Sequence, residues 1–414
     1  VRTQPHHHRG MRIQAIRTTR NPGHANVSIK PGAVQFFDLV FVFAITQISH
    51  GLIEHPDGET FIRTFVLTLA MWWVWVYMTW AMNWLNPDRS PIRVMLISAM
   101  LVVLLMSSSI PQAFDERQGL TFAVGYVCLQ LGRTAFMAVA ARNYDSALSL
   151  NFVRVSLWFA ISAVFWILGG VLPPEERLYL WAVAITVDML APLIRFGLPV
   201  LGATPPMVWA ISGEYMAERT GLFIILVLGE SIIVTGTAFG DLEGTLLEIS
   251  AFLSAFASTV LMWLLYFAHD ESRGRRFITA SDNPGLVARS AYTWVPVILV
   301  LGIVLTAVAD ELVLLRPSEN FGAEEQSVGT TTLIWAASSV YLLGNLLFKR
   351  AIGRPWLWSH ATGILALTAL FMVSGYIVPL AMNWASNAVL LIVILWDYRT
   401  RAQSDTSEGR ATVD

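Results

Sequence analysis

Read as a bare sequence, this chain is expected to form an all-α polytopic membrane protein of about twelve transmembrane helices, arranged as two parallel six-helix repeats. Three observations carry this reading. The 414-residue chain is 55% hydrophobic and only 14% charged, far from the balance of a soluble domain. Its apolar residues gather into runs of about 18–24, the length needed to cross a bilayer core. Its basic residues are concentrated in alternate loops, the asymmetry expected of cytoplasm-facing segments.

The spans fall at about residues 33–53, 61–84, 92–111, 119–141, 155–172, 178–200, 207–239, 246–269, 287–309, 330–349, 357–379 and 382–398. This divides the chain into a basic tail (1–32), a first half (33–200), a second half with an amphipathic lead-in (201–398) and a tail (399–414). With the N-terminus placed in the cytoplasm, 21 of the 27 basic residues lie inside. Only Arg63, Arg117, Arg177 and Arg316 lie outside, where the loops are acidic, as at Glu54-His-Pro-Asp57 and Glu324-Glu325. The expected location is therefore the cytoplasmic membrane, with both termini cytoplasmic and the lipid bilayer as the main partner. Residues 1–32 lack an apolar segment of the signal-peptide kind, and Val1 is an alternative start to Met11.

The first span carries Asp38 one turn inside its cytoplasmic edge, with Ser49 on nearly the same face. Asp38 either complements the positive end of the helix dipole or faces inward toward an arginine or a cation. The second span bears an aromatic stripe of Trp73, Tyr77, Trp80 and Trp84. Tryptophan normally marks the membrane interfaces, so a stripe through a span reads as helix packing, lipid contact or an aromatic-lined cavity for a lipophilic or cationic ligand. In the fourth span Tyr126, Gln130 and Arg133 stand at i, i+4 and i+7, one polar stripe on an apolar helix. Arg133 is too deep to reach water fully by snorkelling, which points to an interior partner such as Asp188 or Glu230.

The sixth span holds Asp188 and Arg195 on one face with Pro192 between them. Proline cannot donate to the carbonyl of residue 188, so the span is either kinked around a structural Asp–Arg network or opened at a cation or proton site. The seventh span is approached by residues 207–219, which include Glu214, Glu218 and Arg219 and read as a continuous helical extension after Pro205-Pro206, with a separate helix lying in the interface as the alternative. Eleven residues beyond Arg219, on nearly the same face, Glu230 lies at mid-membrane depth, where a carboxylate needs a partner, a proton or a function.

Three pairs support a doubled chain. Leu131-Gly-Arg-Thr-Ala-Phe136 echoes Leu343-Gly-Asn-Leu-Leu-Phe348, Asp188 echoes Asp397, and Trp73 with Tyr77 echoes Trp263 with Phe267. Spans separated by six share orientation, so the repeat would be a parallel one.

Other chemistry lacks its motifs. The lone Cys128 excludes a disulfide framework, and no His-x-x-x-His, Cys-x-x-Cys or Glu-x-x-His pair suggests a metal centre. The histidines His6, His7, His8, His50, His55 and His269 fall in tails or near span ends and carry no signal. P-loop and Gly-x-Ser-x-Gly signatures are missing, no cofactor is implied, and the near-neutral net charge of −2 gives no sign of a nucleic-acid partner.

The blocks Phe36-Phe37-Asp38-Leu39-Val40-Phe41-Val42, Ile110-Pro111-Gln-Ala-Phe114, Ala217-Glu218-Arg219-Thr220-Gly221-Leu222-Phe223 and Leu228-Gly229-Glu230-Ser231 resemble those of the bacterial low temperature requirement A (LtrA) family across nearly the whole chain. The resemblance implies a polytopic membrane protein of a family named for growth in the cold. Two positions depart from it: Val34 stands where the family usually has glutamate, and Tyr215 where it usually has histidine. If those family residues transfer protons, that step is altered here. The Phe-x-Asp start of the first span is also similar to the Phe-Ser-Asp motif of a six-plus-six-span family of lysosomal and bacterial potassium channels.

The leading functional expectation is a secondary transporter or channel-like permeation protein acting on a small molecule or ion. Its candidate site residues are Asp38, Arg133, Asp188, Arg195, Glu218, Arg219 and Glu230, with Trp73, Tyr77 and Trp80 as aromatic lining and no metal ligand. The charges of the first, fourth, sixth and seventh spans are expected to converge, with Asn345 and Asp397 as the second half's contribution. An intramembrane enzyme acting on a prenyl-like substrate and a structural, cold-stress role are the alternatives.

Overall fold

The computed structural model describes residues 32–115, 118–143, 145–205, 211–268, 270–318 and 329–411, with side chains up to residue 400. In chain order the helices are α1 (Ala33–Glu54), α2 (Gly58–Trp84), α3 (Ser90–Ser108), α4 (Gly119–Ala141), α5 (Ser146–Val171), α6 (Pro174–Leu193) and α7 (Gly213–Gly240). They continue as α8 (Leu246–Phe267), α9 (Asp270–Ala280), α10 (Pro284–Arg289), α11 (Pro296–Leu315), α12 (Thr330–Ala351), α13 (Trp358–Met372) and α14 (Pro379–Ala411). No extended strand occurs among the described residues. The basic tail 1–31, Arg117, residues 206–210, His269 and Glu324-Glu325 lie outside them.

Among the described residues, ten helical stretches are long and apolar enough to cross a membrane, which makes this a multi-pass membrane protein. The helix α6, with Glu175, Glu176, Arg177 and Asp188, and the 15-residue α13 fall outside that set. The exposed side chains fit lipid contact: on α3, Val94, Ile97, Leu101, Leu104 and Leu105 form one exposed apolar face.

Local chemistry sets several helix starts and corrects the expected boundaries. Asp145 caps α5 by accepting from the Leu148 N–H at 3.0 Å, so this helix begins nine residues before the predicted residue 155. Thr245 and Glu248 form a reciprocal capping box at the start of α8. The helix α6 ends at Leu193, and Arg195 and Phe196 take positive φ values of 55° and 52° beyond it, so the expected continuation to residue 200 is not made. The lead-in to α7 is not continuous either, because Ile211 and Ser212 are non-helical and α7 starts at Gly213. Asn83 holds that break open: its Oδ1 accepts from the Ser212 N–H at 2.9 Å and its Nδ2 donates to the Ser212 carbonyl at 3.3 Å.

The ninth predicted span shows the largest change. It is built from α10, one π-helical turn at Ser290–Trp294 and α11, and it runs six residues past the expected end at 309. Asp310 and Glu311 therefore lie inside a helix, not in a loop.

The chain divides into two units, Val1–Gln47 with Val66–Ser212 and Ile48–Phe65 with Gly213–Asp414. In the first unit, α4, α5 and α6 form the tightest set. In the second, α11 is almost wholly apolar as far as Ala309 and is buried along most of its length, with α7, α8 and α12 packed on it. Gly302 of α11 and Gly344 of α12 let these two backbones approach. A Cβ on Gly302 would stand 2.8 Å from the Tyr341 nitrogen, and one on Gly344 would stand 3.0 Å from the Leu299 nitrogen.

Candidate functional site

The polar stripe on α4 faces inward in the first unit. Tyr126, Gln130 and Arg133 are all buried, and the carboxylate they meet is Asp188 of α6. The Tyr126 hydroxyl donates to Asp188 Oδ2 at 2.7 Å, and Trp166 Nε1 of α5 donates to the same oxygen at 3.3 Å. Gln130 Nε2 donates in turn to the Tyr126 hydroxyl at 3.1 Å. Ser162 of α5 also stands beside Asp188, but its hydroxyl donates to the Phe159 carbonyl at 3.2 Å. The i, i+4, i+7 spacing thus places three polar groups in one column against one acid.

Arg133 completes the group through aromatic faces. Its guanidinium carbon lies 5.1 Å from the Tyr77 ring centre and 5.7 Å from that of Phe159, so rings of α2 and α5 receive the charge. Asp188 acts on it electrostatically, without a direct ion pair. Both terminal nitrogens of Arg133, Asp188 Oδ1 and Gln130 Oε1 have no hydrogen-bond partner among the described residues. A buried cation and a buried acid, within electrostatic reach of each other, each retain open hydrogen-bonding capacity. Leaving such groups unsatisfied costs about 1–3 kcal/mol each or more.

The other expected residues are distributed differently. Asp38 is buried in the first unit and accepts from Trp75 Nε1 at 2.8 Å, so an indole is one of its partners. Arg195 is exposed beyond the end of α6 and does not join Asp188, a correction that follows from the left-handed turn at residues 195–196. Glu218 is half-buried, while Arg219 and Glu230 are buried on α7 in the second unit. Trp73, Tyr77 and Trp80 are buried in helix packing, with the Trp73 and Tyr77 rings 5.7 Å apart and those of Trp80 and Trp84 6.2 Å apart. Trp263, the expected counterpart of Trp73, is instead exposed.

The second unit contains two polar clusters that sequence reasoning missed in whole or in part. In one, Lys349 of α12 contacts Asp397 of α14 at 2.6 Å and Asp270 of α9 at 3.2 Å, and Arg354 contacts Asp270 at 3.3 Å. Ser359 donates to Asp397 Oδ1 at 2.6 Å, and its oxygen is 3.1 Å from His360 Nδ1. His360 Nε2 lies 2.8 Å from Asn345 Oδ1 and 3.1 Å from Lys349 Nζ, and Asn345 is oriented by its donation to the Leu265 carbonyl. His360 is thus a buried network member, correcting the reading of the histidines as uninformative. Lys349 and Arg354 facing Asp270 and Asp397 make this cluster a balanced one.

The other cluster surrounds Asp310 of α11. Asn383 of α14 donates to its Oδ1 at 2.8 Å, and Ser258 of α8 approaches the same oxygen at 3.4 Å. Asp310 Oδ2 has no hydrogen-bond partner among the described residues. The signal available in the sequence was the placement of Asp310 directly after an unbroken apolar run.

Three comparisons bear on this arrangement. The family model described as bacterial low temperature requirement A protein (LtrA) matches residues 36–395. A protein of Rhizobium meliloti (strain 1021), named Uncharacterized protein RA0937, is 34% identical over 369 residues, which cover 88% of this chain and 87% of that protein. No solved structure matches.

Proposed function

Since the chain belongs to the bacterial low temperature requirement A (LtrA) family, we propose that this membrane protein is a secondary transporter or channel-like permeation protein. Its solute-handling centre is the first-unit group of Arg133, Asp188, Gln130 and Tyr126. The observation that carries the reading is the pair of open terminal nitrogens on buried Arg133, within electrostatic reach of Asp188 and its own open oxygen. Charges that served only to lock helices together would satisfy each other, as Lys349 and Asp397 do at 2.6 Å. An open donor beside an open acceptor suits a small solute that offers both, such as a zwitterion.

The same reading takes twelve spans, adding α6 and α13 to the ten long apolar stretches, with both termini cytoplasmic. A parallel repeat is supported by a shared pattern within the two units. Asp188 of α6 receives Tyr126 of α4 and Trp166 of α5, while Asp397 of α14 receives Lys349 of α12 and Ser359 of α13.

The test is flux in proteoliposomes of radiolabelled glycine, chloride and choline, a zwitterion, an anion and a cation with low passive leak. Glycine flux should exceed that of protein-free vesicles. Arg133→Gln and Asp188→Asn should each lower it about tenfold or more, the effect of losing one contact of roughly 1.4 kcal/mol. Flux equal to protein-free vesicles for all three probes, or glycine flux unchanged in both variants, overturns the proposal.

A further inference from the structure

We propose that the second unit holds a monovalent alkali cation at a site built from Asp310, Ser258 and Asn387. The argument is an accounting of protons among closely spaced oxygens. Ser258 has one hydroxyl hydrogen and three oxygens in reach: the Ser254 carbonyl at 3.1 Å, Asn387 Oδ1 at 3.0 Å and Asp310 Oδ1 at 3.4 Å. The amide of Asn387 cannot be turned round to help, because its Nδ2 donates to the Ser254 carbonyl at 2.9 Å. Whichever acceptor the Ser258 proton serves, at least two oxygen–oxygen approaches are left without one.

Charge points the same way. Asp310 is 1% exposed, and no basic side chain among the described residues forms an ion pair with it. Its only amide donor among those residues is Asn383, on Oδ1. Burying a carboxylate in a membrane helix without a counter-charge is costly, so the site calls for a cation or a proton. A proton on Oδ2 would find no acceptor among the described residues, and one on Oδ1 would have only Ser258 Oγ at 3.4 Å, longer than an ordinary O–H···O bond. A cation serves Asp310 Oδ1, Ser258 Oγ and Asn387 Oδ1 together, the oxygens that approach one another here. Ligand distances of about 2.3–2.6 Å around a hard cation put adjacent oxygens roughly 3.2–3.7 Å apart. Asp310 Oδ1 and Ser258 Oγ, at 3.4 Å, fall within that range, and Ser258 Oγ and Asn387 Oδ1, at 3.0 Å, lie just below it. One carboxylate among neutral oxygens balances a single positive charge.

Access is short. Asp310 lies five residues before the end of α11 at Leu315, about 7.5 Å along the axis. Asn383 lies in the first turns of α14. The site is independent of the centre around Arg133, and its test does not use flux.

Purified full-length protein in detergent would be melted in sodium, potassium or N-methylglucamine chloride at equal ionic strength, and binding of radiolabelled sodium would be measured directly. A saturable rise in melting temperature with sodium or potassium, but not N-methylglucamine, is expected from binding to the folded state. Asp310→Asn should abolish the rise, while Glu243→Gln, at an exposed position, should keep it. Ser258→Ala should weaken cation affinity about tenfold, and it decides the question if Asp310→Asn fails to fold. A melting temperature indifferent to the cation and sensitive to pH alone would mean a protonated acid and overturn the proposal. So would a cation response that survives in Asp310→Asn or is unchanged in Ser258→Ala.

Discussion

The Arg133 guanidinium carbon stands 5.1 Å from the centre of the Tyr77 ring, joining the polar stripe of α4 to the aromatic stripe of α2. A desolvated contact of this kind contributes about 2 kcal/mol. Tyr77→Phe keeps the ring face and should leave thermal stability in detergent nearly unchanged. Tyr77→Leu should lower it, and a double-mutant cycle with Arg133→Met should show a coupling of about 0.5–2 kcal/mol. A coupling near zero would mean that the ring only fills space.

Asp188 should respond unequally to loss of its two donors. Tyr126→Phe removes the 2.7 Å hydrogen bond and should cost about 1.5–3 kcal/mol, whereas Trp166→Phe removes a 3.3 Å contact and should lose less polar stabilisation. Combining each variant with Asp188→Asn separates the hydrogen bond from the packing. A larger coupling for Trp166 than for Tyr126 would reverse this assignment.

The balanced cluster at Lys349 makes a different prediction. Lys349→Met leaves Asp270 and Asp397 without the ammonium that joins them, and should destabilise by about 3–5 kcal/mol. Lys349→Met with Asp397→Asn should recover much of that loss in thermal melts. A double variant no better than the single would show that charge balance is not what the lysine supplies.

Arg177 of the first unit clamps four backbone carbonyls. Its guanidinium donates to the carbonyls of Gly169 at 2.9 Å, Ala113 at 2.8 Å, Asp115 at 2.6 Å and Leu172 at 3.1 Å. Arg177→Ala should therefore cost about 3 kcal/mol or more and expose the segment 109–115 to limited proteolysis. Gly119→Ala should act in the same direction, because its Cβ would collide with that guanidinium. Wild-type proteolysis patterns in both variants would remove the clamp from the account.

The class of the protein and many of its buried polar groups are legible in the linear chain. Apolar runs reveal spans because the cost of putting a residue into lipid is local to its own helix. The spacing of Tyr126, Gln130 and Arg133, and the cost of burying Asp188, likewise mark the first-unit centre before any contact is known. Which charges meet is a matter of packing. Arg195 goes to the surface because the chain turns left-handed after α6, and Arg133 is set against rings instead of in an ion pair. Asp310 is drawn into a helix whose apolar run had suggested an end one residue earlier. Ser258, Asn383 and Asn387 are neutral residues that no hydropathy pattern distinguishes, and Ser258 and Asn383 reach Asp310 from 52 and 73 residues away in the chain. Their significance arises only on folding, because the demand for a proton or a cation belongs to the group and not to any one helix.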